Sequence, residues 1–286
     1  MLNQTLAEQL HSALQTTSKI TFLVGAGISA DSGIPTFRGK EGYWTIGSKN
    51  YHPQEMATNR MFQINAEEVW KWYLYRKGVV ENANPNPSHF LLKELEELLH
   101  SQFALVTQNV DGLHKRVGSS PDKLFSIHGD LNYVRCGDTC TNELYPFPDG
   151  FDWKNRNQST ITETELKLLT CPKCGELLRP HVLWFDEYYN EHYYKFDSAM
   201  KIAGESRILF ILGTSGVTNL PMLIAEDVLY NKGFVVEVYT DESHFTHLLT
   251  NRSNGLIIRE KSSVFLDGLV NHLRNHHSLP RRNSHN

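Results

Sequence analysis

The sequence predicts an α/β protein built on a doubly wound, parallel sheet, with a smaller inserted domain and a helical module. Three observations lead to this fold class. Short apolar runs at residues 20–24, 103–107 and 208–212 have the length and composition of buried parallel strands. Helical patterns separate these runs, and such alternation is typical of parallel sheets. Residues 131–180 are polar, carry all four cysteines and interrupt the alternation.

The helices are predicted from apolar side chains that recur every three to four residues. A helix over residues 66–78 should end at Gly78, because glycine often terminates helices. Residues 87–100 form a helix with an apolar side made of Phe90, Leu91, Leu95, Leu98 and Leu99. The remaining predicted elements are helices at 3–17, 220–232 and 262–274 and strands at 124–128 and 234–239.

The composition limits the class of protein. A chain of 286 residues with 40% hydrophobic side chains can bury a large core. The net charge of −4 argues against stable nucleic-acid binding, which needs a basic surface. No apolar run approaches the length of a membrane span, and the N-terminus resembles an amphipathic helix, not a signal peptide. We therefore expect a soluble, cytoplasmic protein of undetermined oligomeric state.

The turn after the first apolar run has the spacing of a phosphate-binding loop. Gly25, Gly27 and Ala30 form G-x-G-x-x-A, which allows the backbone to approach a pyrophosphate. A helix that starts near Ser29 would direct its free N–H groups at that anion. Glycine-rich turns also occur as plain connections, so this spacing alone leaves both interpretations open. Pro35 prevents a long regular helix from following.

The four cysteines form two close pairs. Cys136 and Cys140 are C-x3-C, and after thirty residues Cys171 and Cys174 are C-x2-C. Four thiolates in this arrangement suit a tetrahedral structural Zn²⁺ ion. Full sulfur ligation leaves no position for water, so the ion would stabilise the small domain without taking part in catalysis. The alternative is four reduced surface thiols.

Polar residues follow several predicted strands directly. Residues 108–111 follow one strand, His128 another, and the turn 213–215 a third. Ligands bind parallel sheets at the carboxyl ends of the strands, so these residues should converge on one crevice. A polar strand end is otherwise a cap or turn, and a single histidine is usually a packed one. The position of His128 between a strand and Gly129 favours a general base.

These motifs together resemble the sirtuin family of NAD-dependent protein deacylases. They occur in the family's order: GAGISADSGIPTFRG at 25–39, TQNVDGLH at 107–114, His128-Gly129, the two cysteine pairs, RPHVLWFDE at 179–187 and GTS at 213–215. The resemblance covers about residues 20–270. Within the family, the motifs are most similar to the desuccinylase and demalonylase class.

The resemblance implies discontinuous domains. Residues 1–38, 88–130 and 184–275 would form a Rossmann-like NAD-binding domain. Residues 39–87 with 131–183 would form a small helical and zinc-ribbon domain. Residues 276–286 would be a flexible tail.

The resemblance also implies NAD as the cofactor. Asn109 and His128 match the family's catalytic pair, and Asp111 matches its nicotinamide-site carboxylate. Thr240 stands where asparagine is usual at the adenosine end. The expected cofactor contacts are Gly25, Ala26, Gly27, Ser29, Ala30, Asp31, Ile34, Pro35, Thr36, Phe37, Arg38, Gln108, Asn109, Val110, Asp111, His128, Gly213, Thr214, Ser215, Thr240 and Ser262.

The implied reaction transfers an acyl group from lysine to ADP-ribose. Loss of nicotinamide leaves an oxocarbenium-like carbon on the ribose, which the acyl oxygen of an acyl-lysine captures. His128 then takes a proton from a ribose hydroxyl, and that hydroxyl attacks the acyl carbon. The products are free lysine, nicotinamide and O-acyl-ADP-ribose. Phe37 and Arg38 would cover the cofactor and keep water from the cation.

The acyl group has a candidate binding pair. Tyr73 and Arg76 are three residues apart on a predicted helix and share a face. A guanidinium and a phenol can bind a distal carboxylate, and family members that remove succinyl, malonyl and glutaryl groups carry Tyr-x-x-Arg here. The alternative is an aromatic core stripe of Trp70, Tyr73 and Leu74 beside a solvated Arg76.

The protein or peptide substrate would bind along residues 179–187. In relatives this segment is an extended edge that pairs with the substrate backbone by strand addition. Asp186 stands where glycine is usual, and one extra residue lies between Ser215 and Pro221. The expected substrate contacts are Tyr73, Arg76, Val182, Phe185, Asp186 and Glu187.

Three functions fit these residues. The first is an NAD-dependent lysine deacylase, acting as a deacetylase and also as a desuccinylase or demalonylase. The second is an NAD hydrolase or ADP-ribosyltransferase, with water or a protein side chain as acceptor. The third is a non-enzymatic NAD-sensing or zinc-ribbon interaction module, which would show no turnover and no effect of changing His128.

Overall fold

The computed structural model describes residues 2–36, 53–154, 156 and 160–277. The strands, in chain order, are β1 (Lys19–Val24), β2 (Phe103–Thr107), β3 (Leu124–Ser126), β4 (Gly129–Cys136), β5 (Leu144–Pro146), β6 (Leu178–Val182), β7 (Ser206–Leu212), β8 (Phe234–Val238) and β9 (Gly255–Ile258).

The helices alternate with these strands. They are α1 (Gln4–Leu14), α2 (Pro53–Met56), α3 (Asn59–Asn82), α4 (Pro87–Leu99), α5 (Leu113–Arg116), α6 (Glu163–Leu168), α7 (Glu191–Tyr194), α8 (Phe196–Gly204), α9 (Asn219–Tyr230), α10 (His244–Leu249) and α11 (Ser262–His277), with 3-10 helices at Ala26–Ser32 and His100–Gln102. In the part of the chain that the structure describes, no helix is long and apolar enough to cross a membrane.

Six strands form one parallel sheet in the order β3-β2-β1-β7-β8-β9. The first strand of the chain is central, since β1 pairs with β2 on one side and β7 on the other. The strand order reverses between β1 and β7, and doubly wound sheets bind ligands at such a point. The predicted parallel sheet is confirmed.

Both faces of this sheet are buried, which accounts for the continuous apolar runs in the sequence. On one face the rings of Phe22, Phe103 and Phe210 stack in a row, with centroids 5.2 and 5.0 Å apart. Phe265 from α11 packs against the end of this row. On the opposite face Leu209 belongs to a second buried cluster, to which α8 and α9 also contribute.

The remaining strands, β4, β5 and β6, form an antiparallel sheet. The long helix α3 shares a buried cluster with it, and the Trp70 indole N–H donates to the carbonyl oxygen of Leu178 on β6 (2.8 Å). The inserted, cysteine-bearing segment therefore has a sheet and a core of its own. The domain boundaries stay a prediction.

The predicted end of the helix at Gly78 is wrong, because α3 runs from Asn59 to Asn82 with a non-helical residue at Asn65. Gly78 lies inside the helix, where a Cβ atom would come 3.0 Å from Cβ of Arg156. The glycine thus permits a close contact with a residue far along the chain.

The predicted apolar side of α4 is wrong in part. Phe90 is 57% exposed, whereas the polar residues His89 and Glu96 are buried. His89 lies near the Ser29 hydroxyl (3.4 Å), and Glu96 accepts hydrogen bonds from Ser120. The prediction treated polar residues as solvent-facing, so it placed the buried side of the helix at the wrong angle around the helix axis.

The segment after β1 also differs from the prediction. A 3-10 helix begins at Ala26, three residues before Ser29, and ends at Ser32, where it is followed by Gly33 with a left-handed φ of 79°. The predicted tail, residues 276–286, lies outside the described residues from residue 278 onwards.

Candidate active site

A cavity of about 450 Å³ opens where the parallel strands end. It brings together fifteen of the residues predicted from sequence, although they come from distant parts of the chain. They are Ala26, Gly27, Thr36, Tyr73, Arg76, Gln108, Asn109, Val110, His128, Val182, Phe185, Glu187, Gly213, Thr214 and Ser215.

Other predicted residues are not among those that line this cavity in the described chain. They are Gly25, Ser29, Ala30, Asp31, Ile34, Pro35, Asp111, Asp186, Thr240 and Ser262. Thr240 is exposed, and its hydroxyl donates to Asp241 (3.1 Å). Phe37 and Arg38, which were predicted to cover the cofactor, lie outside the described residues.

The turns that follow β1 and β7 fit closely together at the floor of the cavity. The Gly27 N–H donates to the carbonyl oxygen of Gly213 (2.8 Å). A Cβ atom on Gly25 would lie 2.6 Å from Cβ of Thr214, and one on Gly27 would lie 2.8 Å from Cα of Gly213. The glycines therefore allow this contact between turns, and the Gly27 N–H is engaged by the second turn.

The side chain of Gln108 is held in one orientation at the end of β2. Its amide Nε2 donates to Thr214 Oγ1 (2.9 Å), and Thr218 Oγ1 donates to its Oε1 (3.2 Å). The amide is thus fixed from both ends by residues of the segment after β7.

Asn109 is held by a short chain of hydrogen bonds. Its amide Nδ2 donates to the carbonyl oxygen of Gly25 and to the Ser29 hydroxyl (both 3.1 Å). Ser29 donates in turn to Asp111 Oδ2 (2.7 Å), whose other oxygen accepts from the Leu113 N–H (2.9 Å). Burial raises the pKa of the Asp111 carboxyl, although these hydrogen bonds act in the opposite direction. Asp111 lies behind the cavity and orients Ser29 and Asn109.

The tautomer of His128 follows from its partners. Nδ1 lies 3.1 Å from the carbonyl oxygen of Gln108, which can only accept, so Nδ1 carries the proton. Nε2 therefore has the lone pair, and it lies 2.9 Å from the Tyr189 hydroxyl. Burial lowers the pKa of His128 to about 4, although the hydrogen bond to the Gln108 carbonyl acts in the opposite direction. The ring is neutral near pH 7, as a general base must be.

Among the described residues, the opposite side of the cavity is aromatic and carries the cation Arg76. Tyr73 and Arg76 are buried, and the Tyr73 hydroxyl accepts from the indole N–H of Trp184 (2.8 Å). The Arg76 guanidinium carbon lies 4.6 Å from the centre of the Trp72 ring. The alternative of a solvated Arg76 is wrong, since its side chain is 4% exposed and lines the cavity.

The two acidic residues after β6 hold the loop that carries them. Asp186 accepts from the backbone N–H groups of Asn59 (2.7 Å) and Arg60 (3.0 Å), in the first turn of α3. Glu187 accepts from Arg179 (2.9 Å) and Arg135 (3.1 Å). The sequence predicted that Asp186 contacts the substrate. In the structure its carboxylate instead binds the first turn of α3 and does not line the described cavity.

The cysteine cluster fits a tetrahedral zinc site. All four sulfur atoms lie within 4.8 Å of one another, and the Cys136–Cys174 and Cys140–Cys171 pairs are 3.6 and 3.7 Å apart. Zinc–sulfur bonds of about 2.3 Å would place the sulfurs of a tetrahedron about 3.8 Å apart. The observed distances are far longer than a disulfide bond of about 2.05 Å. None of the four cysteines lines the cavity formed by the described residues.

The Sir2 family model matches residues 25–219, which is more than half of the chain. The chain belongs to the Sir2 family. It is 38% identical over 253 residues to the NAD-dependent protein deacylase of Leptospira interrogans serogroup Icterohaemorrhagiae serovar copenhageni, a match that covers 88% of this chain and 92% of the relative.

Solved structures agree with this assignment to the Sir2 family. A Sir2 homologue in complex with ADP-ribose is 34% identical, with a TM-score of 0.79, over 98% of this chain and 100% of that chain. A Sir2 protein in complex with a deacetylated peptide and 3′-O-acetyl-ADP-ribose is 25% identical, with a TM-score of 0.72, over 95% of this chain and 98% of that one.

Several residues that line this cavity were not predicted from the sequence. Most follow the carboxyl ends of β6 and β7, in segments without helical or strand periodicity. They are Ala57, Leu183, Trp184, Tyr189, Val217, Thr218, Asn219 and Tyr239. The extra residue before Pro221 was a usable signal, because it falls in the segment whose Thr218 contacts Gln108.

Proposed function

We propose that this Sir2-family enzyme is an NAD-dependent protein-lysine deacylase that releases nicotinamide and O-acyl-ADP-ribose. The observation that carries the proposal is His128, a neutral histidine with its proton on Nδ1, in the same cavity as Asn109 and the turn 213–215. The name of the Leptospira relative and the ligands of the two solved structures support it.

The described residues fit NAD at the carboxyl ends of the strands. Gln108, Asn109, Thr214 and Ser215 offer polar side chains to the cavity at the point where the strand order reverses. When bound, NAD supplies an electrophilic ribose carbon. Hydrogen bonds to Gly25, Ser29 and Thr214 fix the amides of Gln108 and Asn109 beforehand, which lowers the cost of ordering them on binding.

His128 is the proposed general base. Its Nε2 accepts the proton of a ribose hydroxyl, while the Nδ1–H bond to Gln108 keeps the ring oriented and the correct nitrogen unprotonated. The low pKa keeps the base unprotonated throughout the neutral range. Zinc at the four cysteines would hold the small sheet and supply no step.

We further propose a preference for acyl groups that end in a carboxylate, such as succinyl and malonyl. Arg76 places a buried positive charge on the cavity wall beside Tyr73. A carboxylate reaching this guanidinium would form charge-assisted hydrogen bonds in a site of low dielectric, where they are strong. A neutral acetyl group offers the guanidinium no counter-charge.

A product assay tests the activity. The protein is incubated with NAD and acetyl-lysine or succinyl-lysine peptides, and nicotinamide and O-acyl-ADP-ribose are followed by mass spectrometry. We expect peptide-dependent release of both, and a loss of about 10²- to 10⁴-fold in O-acyl-ADP-ribose formation in His128→Ala. Nicotinamide release without peptide would favour an NAD hydrolase, and no release under any condition would contradict both enzymatic readings.

A matched pair of arginine variants tests the acyl preference. Arg76→Met should lower desuccinylation about 10- to 100-fold, as expected from the loss of hydrogen bonds to a charged group, and affect deacetylation far less. Arg60→Met removes the same charge from an exposed position on the same helix and should change neither activity. Equal losses of both activities in Arg76→Met would contradict the proposed carboxylate preference, but they would not contradict the deacylase proposal.

A further inference from the structure

Tyr189 is a cavity residue that the motifs do not contain, and it contacts the histidine at the centre of the site. It lies after β6, on the loop that enters α7, and lines the same cavity as His128. Its ring packs near His128 and Phe196, with centroids 5.9 and 6.3 Å apart. Its hydroxyl oxygen lies 2.9 Å from Nε2 of His128.

The direction of this hydrogen bond is determined by the atoms around it. Nδ1 of His128 carries the proton, because the carbonyl oxygen of Gln108 can only accept. Nε2 is then an acceptor, and the Tyr189 hydroxyl must be the donor. Burial raises the pKa of the phenol, so Tyr189 keeps this proton near pH 7.

The lone pair of Nε2 can accept only one strong hydrogen bond, because it lies in the plane of the ring and points in one direction. A substrate hydroxyl that gives its proton to His128 must approach along this direction to hydrogen-bond distance. The Tyr189 hydroxyl occupies that position. Tyr189 and the substrate hydroxyl therefore exclude each other at Nε2.

We propose that Tyr189 is a positioning residue that caps the general base, and that acyl transfer begins when a substrate hydroxyl replaces the Tyr189 hydroxyl at Nε2 of His128. This inference rests on the proposed function for the identity of that hydroxyl. In the transfer itself the substrate O–H bond breaks and an N–H bond forms at Nε2. Tyr189 keeps its own O–H bond and gives up only a hydrogen bond.

The cap has a measurable cost for any ligand that needs Nε2. A ligand that bonds to Nε2 must first break the hydrogen bond between Tyr189 and His128. A protein without the Tyr189 hydroxyl should therefore bind such a ligand about 2- to 10-fold more tightly. Tyr189→Phe removes the hydroxyl and keeps the ring that packs against Phe196. The effect should depend on His128, because Nε2 is the contested atom.

A double-mutant cycle with ADP-ribose tests the cap by calorimetry. Tyr189→Phe should bind ADP-ribose about 2- to 10-fold more tightly than the original chain, and should gain nothing when His128→Ala is also present. Tyr194→Phe is the matched control, since it removes a buried hydroxyl near Arg135 that does not line the described cavity, and its affinity should be unchanged. Unchanged or weaker binding in Tyr189→Phe, or a gain that persists with His128→Ala, would overturn the proposal.

A second measurement separates the cap from the proposed function because it needs no ligand. Nitrogen-15 NMR of the His128 ring reports its tautomer and its pKa in the free protein. A hydrogen bond to the neutral ring lowers the pKa, so Tyr189→Phe should raise it. An unchanged pKa would overturn the cap. A raised pKa in a protein that does not bind ADP-ribose would support the cap and contradict the proposed function.

Discussion

The two sheets of this molecule are stabilised by partly different interactions. The parallel sheet is buried on both faces, with the stacked row of Phe22, Phe103 and Phe210 at its centre. The antiparallel sheet has three strands, and its ends are tied by four cysteines and by the ion pairs of Glu187 with Arg135 and Arg179. Both halves have a buried apolar cluster, but the small half adds an ion-pair network and four cysteines that fit a metal site.

Under the proposed function, this difference separates two tasks within one cavity, proton transfer and selection of the acyl group. His128, Asn109 and the turn 213–215 follow strands of the parallel sheet. Tyr73 and Arg76 lie on α3, which packs in the cluster of the small sheet. Loosening the small half should therefore disturb substrate selection first and leave the proton-transfer geometry in place.

Metal removal should produce the largest difference in stability between the two halves. Structural zinc sites contribute about 10–16 kcal/mol to folding, so either a chelator or Cys171→Ser should unfold the small sheet. Hydrogen exchange followed by mass spectrometry should then show lost protection in β4 and β6, with β1 and β7 still protected. Added Zn²⁺ should restore protection in the chelated original chain. An equal loss in both sheets would end the distinction between the two halves.

Removal of one buried charge should have an intermediate effect. Glu187→Gln leaves Arg135 and Arg179 without their carboxylate, and breaking a fully buried pair costs about 3–5 kcal/mol. Because the Glu187 side chain keeps 19% exposure, we expect a loss of about 2–3 kcal/mol in the free energy of unfolding, measured in denaturant.

The matched control for that variant is Glu143→Gln. Glu143 pairs with Lys173 in the same half of the molecule, but both side chains are about half exposed. It should leave the unfolding free energy unchanged within error. Equal effects of the two substitutions would show that burial of the Glu187 cluster does not stabilise the small half.

Lowering the pH should destabilise both halves, and the effect of each buried histidine on the free energy of unfolding should be the smallest of the three. His114, near the parallel sheet, and His181, on β6, are both buried, and burial lowers their pKa values to about 3 and about 4. An unfolded histidine has a pKa of about 6.5, so stability is full above that pH. It falls by about 1.4 kcal/mol per pH unit per histidine as the pH drops towards the folded pKa.

Each of His114→Leu and His181→Leu should therefore reduce the difference in unfolding free energy between pH 6.5 and pH 5.5 by about 1 kcal/mol. Denaturant titrations at the two pH values measure it. His11→Gln, at an exposed position on α1, should leave the difference as in the original chain. If only His114→Leu reduced the difference, the acid sensitivity would belong to the parallel-sheet half alone.

The sequence predicted those parts of the site that follow from local pattern. The apolar runs located β1, β2 and β7, and the parallel geometry then brought Gln108, His128 and the turn 213–215 to one edge. The errors involve contacts between residues far apart in the chain. Nothing local shows that Gly78 admits Arg156 or that Tyr189 reaches His128 across 61 positions. The roles assigned to the site residues stay predictions until they are tested.

The central position of β1 has a consequence for synthesis of the protein. The strand leaves the ribosome before both of its neighbours, and the turn at Gly27 is completed only by Gly213, 186 residues later. At translation rates of about 5–20 residues per second, this interval lasts about 10–40 s. During that time the turn at Gly27 lacks the Gly213 contact, so the floor of the cavity can form only after β7 has been synthesised.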